Sequence, residues 1–584
     1  MENIIQRLGP KFGVLSESDT TQLKVMGRNE DVAVGDLFVL PSVRGKERFY
    51  FFRTTQYANI MNRTINIEDV ARNKLTMPDS YLSDDLHDEK LIELKGMLLG
   101  YAQQNDQGNW LFYRPRRLPE HLTDVYQVNE TNAEVVNELL ASQLGESGIF
   151  AGYLLAGEYA LEDVSVYMPP HSISHHIGIF GRTGCGKSNL MMVLIDSMFQ
   201  YNREIQNQAN EQKVSMLAID PHDEFCYWPS GNRDGIYGIV SNYSEQERSD
   251  LVDPFYFLTL KDVGSEYGQQ QIRLSRADVT PQDLFSIMEF SEQQIAFSNQ
   301  YFGHHGDMWI SRLITGDLES DADTNFLPGT VQAVERRVNF LRQGMTQVFT
   351  PFDPQVNHQY DSILTDIICS LESGRIITVD TTLMNELEQF LLTTIVARTL
   401  FMLRKGLKSA RNIGALEREI NLALGYDPDN NSPGLCTLAG QIIEALNEER
   451  LPYIREGQLV RISELPFVNV VIEEAPSVLN PDRLRFGSIF RDISRQGRKF
   501  GIGLTVISQQ VSSIDDGILS QLNTEINLAL GNENERREAI RNASADLFGF
   551  EKELQVMGKG QAILTASYRD IPLPIQAPLF DDLP

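Results

Sequence analysis

The pattern of hydrophobic and polar positions changes near residue 150. Before that point, short apolar runs alternate with turn-forming residues, and a helical pattern covers residues 132–144. Short strands at this spacing predict a small β-barrel. The apolar runs lie at residues 13–15, 22–25, 36–40, 49–55, 94–102 and 110–113.

Beyond residue 150, short apolar runs alternate with helical patterns. Strands that alternate with helices predict an α/β fold, in which a mostly parallel sheet is covered on both faces. Ligands of such a sheet bind at the carboxyl ends of its strands. The predicted strands lie at residues 176–180, 214–220, 375–380, 467–472, 503–508, 525–530 and 561–565.

A glycine-rich segment follows the first of these strands. Residues 181–188 read Gly-Arg-Thr-Gly-Cys-Gly-Lys-Ser and fit the phosphate-loop pattern GxxxxGK[ST] without a mismatch. Glycines let backbone N–H groups point at a triphosphate, the lysine places a positive charge on its β- and γ-phosphates, and the serine hydroxyl binds Mg²⁺. The segment therefore predicts ATP and Mg²⁺ as cofactors. The predicted nucleotide-binding residues are Gly181, Thr183, Gly184, Cys185, Gly186, Lys187, Ser188 and Asn189.

Two carboxylates follow the predicted strand at residues 467–472. Hydrolysis of a γ-phosphate needs one acid for Mg²⁺ or its water, and another that orients and deprotonates the attacking water. We expect Glu473 on the metal side, together with Ser188, and Glu474 at the water. Gln509, at the end of the next strand, is either a sensor of the γ-phosphate or of the attacking water, or only a turn former.

Basic residues are concentrated between these two strands. Three interpretations compete: a solvated helix face, a subunit edge with an arginine finger that stabilises transition-state charge in a neighbouring site, and a track for DNA phosphates. The density of arginine in an acidic chain disfavours the first, and Arg498 is the preferred finger, with Arg495 second. The basic residues are Arg483, Arg485, Arg491, Arg495, Arg498 and Lys499.

The composition narrows the possible partners. The chain has 584 residues, with 51 Lys and Arg against 80 Asp and Glu, so its formal net charge is −29. A protein that binds nucleic acid over its whole surface should be basic, so any such contact is expected to be local. The 4 separated cysteines form no C-x-x-C pair and fit a reducing cytoplasm. No apolar run reaches the ~18 residues typical of a membrane span, so no membrane partner is expected.

Together, these motifs resemble the HerA/FtsK branch of RecA-like motor ATPases, and HerA most closely. Besides the phosphate loop, the family motif Asp-Pro-His-Gly-Glu-Phe/Tyr is similar to residues 220–225, and Gly-Arg-Lys-Tyr/Phe-Gly is similar to residues 497–501. Asp223 departs from the family glycine, and Glu473 departs from the usual aspartate by one methylene. His175 and His176 stand where family members often carry a basic residue, so no arginine acting in cis is assigned there.

The resemblance implies a homo-hexameric ring with ATP bound between subunits and double-stranded DNA in the pore. It also implies a RecA-like core between an N-terminal barrel of the HAS-barrel type and a C-terminal arm. The predicted domains are the barrel with its linker at 1–150, the core at 151–277 and 351–566 with an irregular insertion at 405–465, a helical insertion at 278–350, and the arm at 567–584.

HerA relatives work with a partner encoded nearby. The resemblance implies a nuclease in housekeeping members, and a sirtuin-type NAD-consuming enzyme or another nuclease in bacterial members that act against phage. This sequence shows no nuclease or NAD-hydrolase constellation of its own, so the effector is expected on another chain. The resemblance implies an ATPase motor that translocates or unwinds double-stranded DNA and acts with the effector in anti-phage defence. The alternative is an ATP-dependent scaffold that assembles and switches the effector with little translocation.

Overall fold

A computed structural model gives the architecture of most of the chain. It describes residues 2–19, 22–28, 31–42, 47–60, 91–206, 208, 211–222, 225, 238–239, 255–261, 269–316, 326–342, 345–353, 359–484 and 487–583. The chain divides into two compact units. The barrel unit comprises residues 1–168, 181–190 and 525–579, and the core unit comprises residues 169–180, 191–524 and 580–584.

Strands and helices are distributed over the whole described chain. The strands are β1 (Gly13–Ser18), β2 (Leu23–Gly27), β3 (Leu37–Ser42), β4 (Arg48–Ile60), β5 (Leu91–Gln104), β6 (Trp110–Tyr113), β7 (Asp124–Gln127), β8 (Ile149–Ala156), β9 (Tyr159–Met168), β10 (Ile177–Phe180), β11 (Val214–Asp220), β12 (Phe255–Thr259), β13 (Gln269–Gln271), β14 (Leu274–Ser275), β15 (Phe349–Thr350), β16 (Ile376–Asp380), β17 (Ile454–Arg455), β18 (Gln458–Leu459), β19 (Phe467–Ile472), β20 (Ile502–Ser508), β21 (Thr524–Leu528), β22 (Gln561–Ala566) and β23 (Leu573–Gln576). The helices are α1 (Glu2–Arg7), α2 (Ala133–Leu144), α3 (Lys187–Glu204), α4 (Pro281–Ile287), α5 (Glu292–His305), α6 (Trp309–Thr315), α7 (Pro328–Val338), α8 (Leu364–Glu372), α9 (Glu386–Ser409), α10 (Ile413–Ala423), α11 (Cys436–Asn447), α12 (Pro481–Leu484), α13 (Ile489–Gln496), α14 (Asp516–Leu519), α15 (Glu533–Asn542) and α16 (Glu551–Val556).

The first part of the barrel unit is a closed antiparallel barrel. Its strands follow the order β2-β1-β7-β3-β4-β5, a further pairing of β2 with β5 closes it, and β6 pairs with β5. Alternate positions such as Leu23 and Val25 on β2, and Ile92 and Leu94 on β5, point into one apolar core. This period of two is what a strand with one buried face requires, and the predicted N-terminal barrel is confirmed.

The rest of the barrel unit contains a second, antiparallel group of strands. β22 pairs with β23, β23 with β8, and β8 with β9. A buried ion pair joins helix α16 to the barrel, because Glu553 accepts from Nε of Arg53 on β4 at 3.0 Å. Both side chains are almost fully buried, so each charge depends on the other for its stability.

The core unit is built on a parallel sheet with the strand order β13-β12-β16-β11-β19-β20-β10. Val470 on β19 lies opposite Leu504 on β20, and Ile179 on β10 lies opposite Ile507 on β20. These strands are buried over almost their whole length, which explains why they read as continuous apolar runs rather than alternating ones. The predicted RecA-like α/β fold is confirmed.

Helices occupy two segments between the core strands. Helices α4 to α7 lie within residues 281–338, and α10 and α11 lie within residues 413–447. The prediction of an irregular segment at 405–465 is therefore wrong. Leu416 and Ile420 in α10 recur at helical spacing and are buried, but the polar, proline-containing loop between the two helices obscured the pattern. Within the described chain, no helix combines the length and the apolar content needed to cross a bilayer.

A buried arginine stabilises the amino ends of β19 and β20. Arg404 on α9 pairs with Glu372 through Nε–Oε1 and Nη2–Oε2 contacts of 3.0 and 2.9 Å. The same guanidinium donates to the carbonyl oxygens of Phe500 at 2.6 Å and Pro466 at 2.9 Å, and Tyr453 donates to Glu372 at 2.8 Å. Because both charges are fully buried, this complete set of partners is necessary for stability.

Candidate nucleotide site

The phosphate loop connects the end of β10 to the start of α3. Gly184 and Gly186 have φ angles of 75° and 105°, a region that side chains rarely tolerate, so the turn requires glycine at both positions. The Lys187 ammonium donates to the carbonyl oxygens of Gly181 and Arg182 at 2.9 and 3.1 Å. The first N–H groups of a helix have no carbonyl partner within it, so the start of α3 suits a phosphate group.

The side chain of Cys185 is turned into the protein. It is 3% exposed, and burial raises the pKa of its thiol. A Cβ atom on Gly181 would lie 2.6 Å from the Cys185 sulfur, which explains the glycine at the start of the loop. Cys185 therefore offers the site its backbone and not a reactive thiol.

The C-terminal part of the barrel unit supports the phosphate loop at two points. The N–H of Gly560 donates to the Cys185 carbonyl at 2.9 Å, and Nδ2 of Asn189 donates to the Pro578 carbonyl at 2.8 Å. The second pair is separated by 389 residues in the sequence. Sequence reasoning missed both contacts, because backbone acceptors carry no residue signature. The only available signal was the Gly-Lys-Gly turn at 558–560, whose last glycine has a φ of 77°.

Glu473 and Glu474 follow β19 at the carboxyl edge of the core sheet. Glu474 is exposed and has a φ of 48° and a ψ of 43°. This left-handed conformation costs a non-glycine residue roughly 1–3 kcal/mol, and such strain is concentrated at functional sites. Both carboxylates line a cavity of about 130 Å³, together with Glu386 and Gln389 at the start of α9. The pair is thus displayed towards a cavity and not packed in the core.

Two further acids, Asp220 and Asp380, lie at the ends of neighbouring strands. Unlike Glu474, both are buried and accept hydrogen bonds from other residues of the chain. Asp220 at the end of β11 accepts the N–H of Phe225 at 2.7 Å. Asp380 at the end of β16 accepts from Thr259 at 2.8 Å and pairs with Lys261 at 2.9 Å. Burial alone would raise the pKa of Asp380, but hydrogen bonds from Lys261 and threonine side chains hold it below its usual value. Both acids therefore organise the strand ends.

Gln509 lies at the same edge of the sheet as the two glutamates. It follows the last residue of β20 and is exposed. Since β19, β20 and β10 are adjacent and parallel, the two glutamates and Gln509 leave the sheet on the side where β10 leads into the phosphate loop. This arrangement follows the rule that parallel sheets collect ligands at the carboxyl ends of their strands.

The two arginines predicted as fingers lie at the opposite edge. Arg495 is in α13 and Arg498 is in the turn that precedes β20, and both are exposed. The length of β20 separates them from Gln509 by about 20 Å at ~3.3 Å per residue. A finger role for either arginine therefore requires a second copy of the chain, and it stays a prediction.

Two histidines precede β10 at this amino edge. Burial, with smaller effects from Arg498 and His171, lowers the pKa of His175 to about 4. Burial also lowers the pKa of His176 to about 4, and its Nδ1 accepts the N–H of Leu504 at 3.0 Å. Both rings are therefore neutral at pH 7, so neither histidine supplies a cation ahead of the phosphate loop.

The residues that are present fit the expected cofactors. Lys187 and the start of α3 suit a triphosphate, and the Ser188 hydroxyl on that helix is an oxygen ligand of the kind that Mg²⁺ prefers. The metal role of Glu473 stays a prediction. Among the residues described, no group of three or more His, Cys, Asp or Glu side chains could hold a metal by itself. The motif residues Asp223, Glu224 and Arg485 lie outside the described residues.

Comparison with known proteins identifies the family. Residues 149–400 match the family model for the central domain of the helicase HerA. The DNA double-strand break repair helicase HerA of Saccharolobus solfataricus is 23% identical over 439 residues, which cover 74% of this chain and 69% of that protein. The protein of the same name from Pyrococcus furiosus is 21% identical over 571 residues, which cover 96% of this chain and 88% of that protein. Residues 149–400 are a HerA-type ATPase domain.

Solved structures similar to this chain include VirB4 of Thermoanaerobacter pseudethanolicus and the bacterial conjugative coupling protein TrwB. VirB4 is 14% identical with a TM-score of 0.39, over 74% of this chain and 96% of that one. TrwB is 11% identical with a TM-score of 0.43, over 78% of this chain and 92% of that one. The predicted family and the prediction of an ATP-hydrolysing enzyme are confirmed by the HerA model and relatives.

Proposed function

We propose that this HerA-type ATPase is a motor that moves along double-stranded DNA. The observation that carries the proposal is the carboxyl edge of the core sheet, where β19 ends in Glu473 and Glu474 and β20 ends in Gln509, beside the strand that leads into the phosphate loop. The names of the relatives support it, since they are DNA repair helicases that this chain matches over most of their length.

Each site residue has a distinct role in the proposed hydrolysis. Lys187 neutralises charge on the β- and γ-phosphates, and Glu474 orients the attacking water and accepts its proton. Gln509 senses the γ-phosphate or that water. Mg²⁺, held by Ser188 and Glu473, would supply further charge neutralisation at the phosphate oxygens.

The proposed assembly is a homo-hexameric ring with DNA in its pore. The chain carries a net charge of −29, so DNA contact must be confined to a local basic surface. Arg495, Arg498 and Lys499 are exposed at the amino edge of the core sheet, and of the competing roles we assign Arg498 to the finger and not to DNA contact. In the ring, Arg498 would act on the nucleotide of a neighbouring copy, because its own carboxylates lie at the other edge.

The direct test is the ATPase rate with and without double-stranded DNA. We expect DNA to raise the rate of the wild-type chain, and Lys187→Ala to abolish activity in both conditions. A shorter and a longer duplex separate movement from simple binding, since only a translocating enzyme should respond to length. An ATPase rate unaffected by DNA of any length would count against the motor.

We further propose that the motor acts with a partner effector, such as a nuclease or a sirtuin-type NAD-consuming enzyme, in defence against phage. The second candidate function is a scaffold that switches this effector with little translocation, and the acidic balance and Glu473 favour it. Co-purification with the neighbouring gene product and measurement of the complex mass test for the effector. An effector that a Glu474→Gln variant still activates would favour the scaffold over the motor.

A further inference from the structure

A tight turn at residues 558–561 lies directly against the phosphate loop within the barrel unit. The Gly558 N–H donates to Oε1 of Gln561 at 2.8 Å, which closes the turn. The next contact joins the turn to the loop, because the Gly560 N–H donates to the Cys185 carbonyl at 2.9 Å. A Cβ atom placed on Gly186 would lie 3.1 Å from the nitrogen of Gly560 and 3.8 Å from Cγ of Lys559. The stem of Lys559 therefore runs beside the second left-handed glycine of the loop.

The backbone of this turn is held from the other side as well. The Gly560 carbonyl accepts the N–H of Ala577 at 2.9 Å, and the Lys559 carbonyl accepts from Nε2 of Gln576 at 3.4 Å. Lys559 itself is exposed, and the described residues show no ion pair to its ammonium. The Lys559 ammonium is therefore available to an anionic ligand, and its backbone position beside the loop is fixed.

We propose that Lys559 is a second nucleotide-binding lysine, which contacts the α- and β-phosphates. Backbone N–H groups of a phosphate loop cradle these two phosphates, while the loop lysine reaches the β- and γ-phosphates. Lys559 lies beside Gly186, so its positive charge adds to the α- and β-phosphates, whereas Lys187 reaches the β- and γ-phosphates. The proposal depends only on nucleotide binding and not on movement along DNA.

The test uses the full chain and equilibrium binding of fluorescent ATP and ADP analogues in the presence of Mg²⁺. Lys559→Met keeps the stem that packs beside Gly186 and removes the charge, whereas Lys559→Arg keeps the charge. A charge-assisted hydrogen bond contributes ~1.5–3 kcal/mol, so we expect Lys559→Met to weaken ATP and ADP about tenfold or more. Lys559→Arg should stay within about threefold of wild type, because the arginine cation still reaches phosphate. Lys552→Met is the matched control, since Lys552 is an exposed lysine on α16 of the same unit, and no change is expected.

Salt dependence gives a second, independent readout. The affinity of the Lys559→Met variant should fall less steeply with added salt than that of the wild type, because one screened attraction is missing. Unfolding midpoints confirm that each variant is folded, and Lys559→Gln replaces the methionine variant if that one is unstable. Wild-type affinity in both uncharged variants would overturn the proposal. So would an equal loss in Lys552→Met, since the effect would then come from net charge alone.

Discussion

Arg404 and His176 at the amino edge of the core sheet differ in burial from Glu474 and Gln509 at its carboxyl edge. At the amino edge, Arg404 is enclosed by Glu372 and three carbonyl oxygens, and His176 accepts the N–H of Leu504. At the carboxyl edge, Glu474 is exposed in a left-handed conformation and Gln509 is exposed. The buried groups at the amino edge are paired internally, as are Asp220 and Asp380 at the carboxyl edge, whereas Glu474 and Gln509 at the carboxyl edge are exposed.

Within one sheet, the buried, paired charges contribute to stability, whereas the exposed groups are candidates for chemistry. A buried charge must be fully paired, or it destabilises the fold. A catalytic carboxylate must keep a free face for water or metal, and it accepts local strain in return. The exposed arginines at the amino edge are neither buried and paired nor close to the carboxylates of their own copy. Their substitution therefore tests the comparison most directly.

The largest effect is expected from Arg498. If it is a finger for a neighbouring site, Arg498→Ala should lower kcat by about 10³-fold or more, because such arginines stabilise transition-state charge. Lys499→Ala, an adjacent exposed cation, should change kcat little. Mixing Arg498→Ala with Lys187→Ala subunits should restore part of the activity through hybrid sites. Rings that form and yet show no restored activity would argue against a finger acting between copies.

A somewhat smaller loss is expected at the carboxyl edge. Glu474→Gln should lower kcat by about 10²-fold or more with little change in KM, because the amide cannot accept a proton from the attacking water. Glu386→Gln is the matched control, since this exposed carboxylate lines the same cavity but follows no core strand. Steady-state ATPase assays give both constants. If the control lost more activity than Glu474→Gln, the catalytic base would have to be reassigned.

Substitution in the buried Arg404–Glu372 pair at the amino edge should lower stability. Glu372→Gln leaves the buried Arg404 guanidinium without its anion and should lower the free energy of unfolding by about 3–5 kcal/mol. Asp366→Asn removes an exposed ion pair to Arg450 and should cost no more than ~1 kcal/mol. Chemical denaturation measures both. Equal losses for the two variants would contradict the importance of burial.

The smallest effect concerns pH. His176 has a pKa of about 4 in the fold and an ordinary value of 6.5, so between these pH values only the unfolded chain binds the proton. His176 should therefore lower stability by about 3 kcal/mol as pH drops from 6.5 towards 4, His175 should add to this fall, and the effect should level off below pH 4. His176→Asn should flatten this dependence, because asparagine tolerates the φ of 59° and does not titrate. Denaturation at several pH values tests it, and an unchanged slope would show that other groups dominate.

Local patterns were sufficient to predict much of the fold. The strand-length apolar runs predicted the barrel and the parallel core sheet, because burial on one or two faces leaves a direct trace in the sequence. The α10 and α11 helices were missed although their apolar spacing was present, since a loop rich in polar residues lay between them. The hairpin of β8 and β9 was also missed.

The sequence by itself determined which residues are candidates for the chemistry of the site: the glycines that curl the phosphate loop, Lys187 and Ser188 behind them, and the carboxylates after β19. These features depend on residue type at short spacing, which a sequence records completely. Only the tertiary structure decided which segments support the loop, since the contacts at Cys185 and Asn189 come from the far end of the chain. It also placed Arg498 at the opposite sheet edge, because strand order and direction follow from packing and not from any local motif.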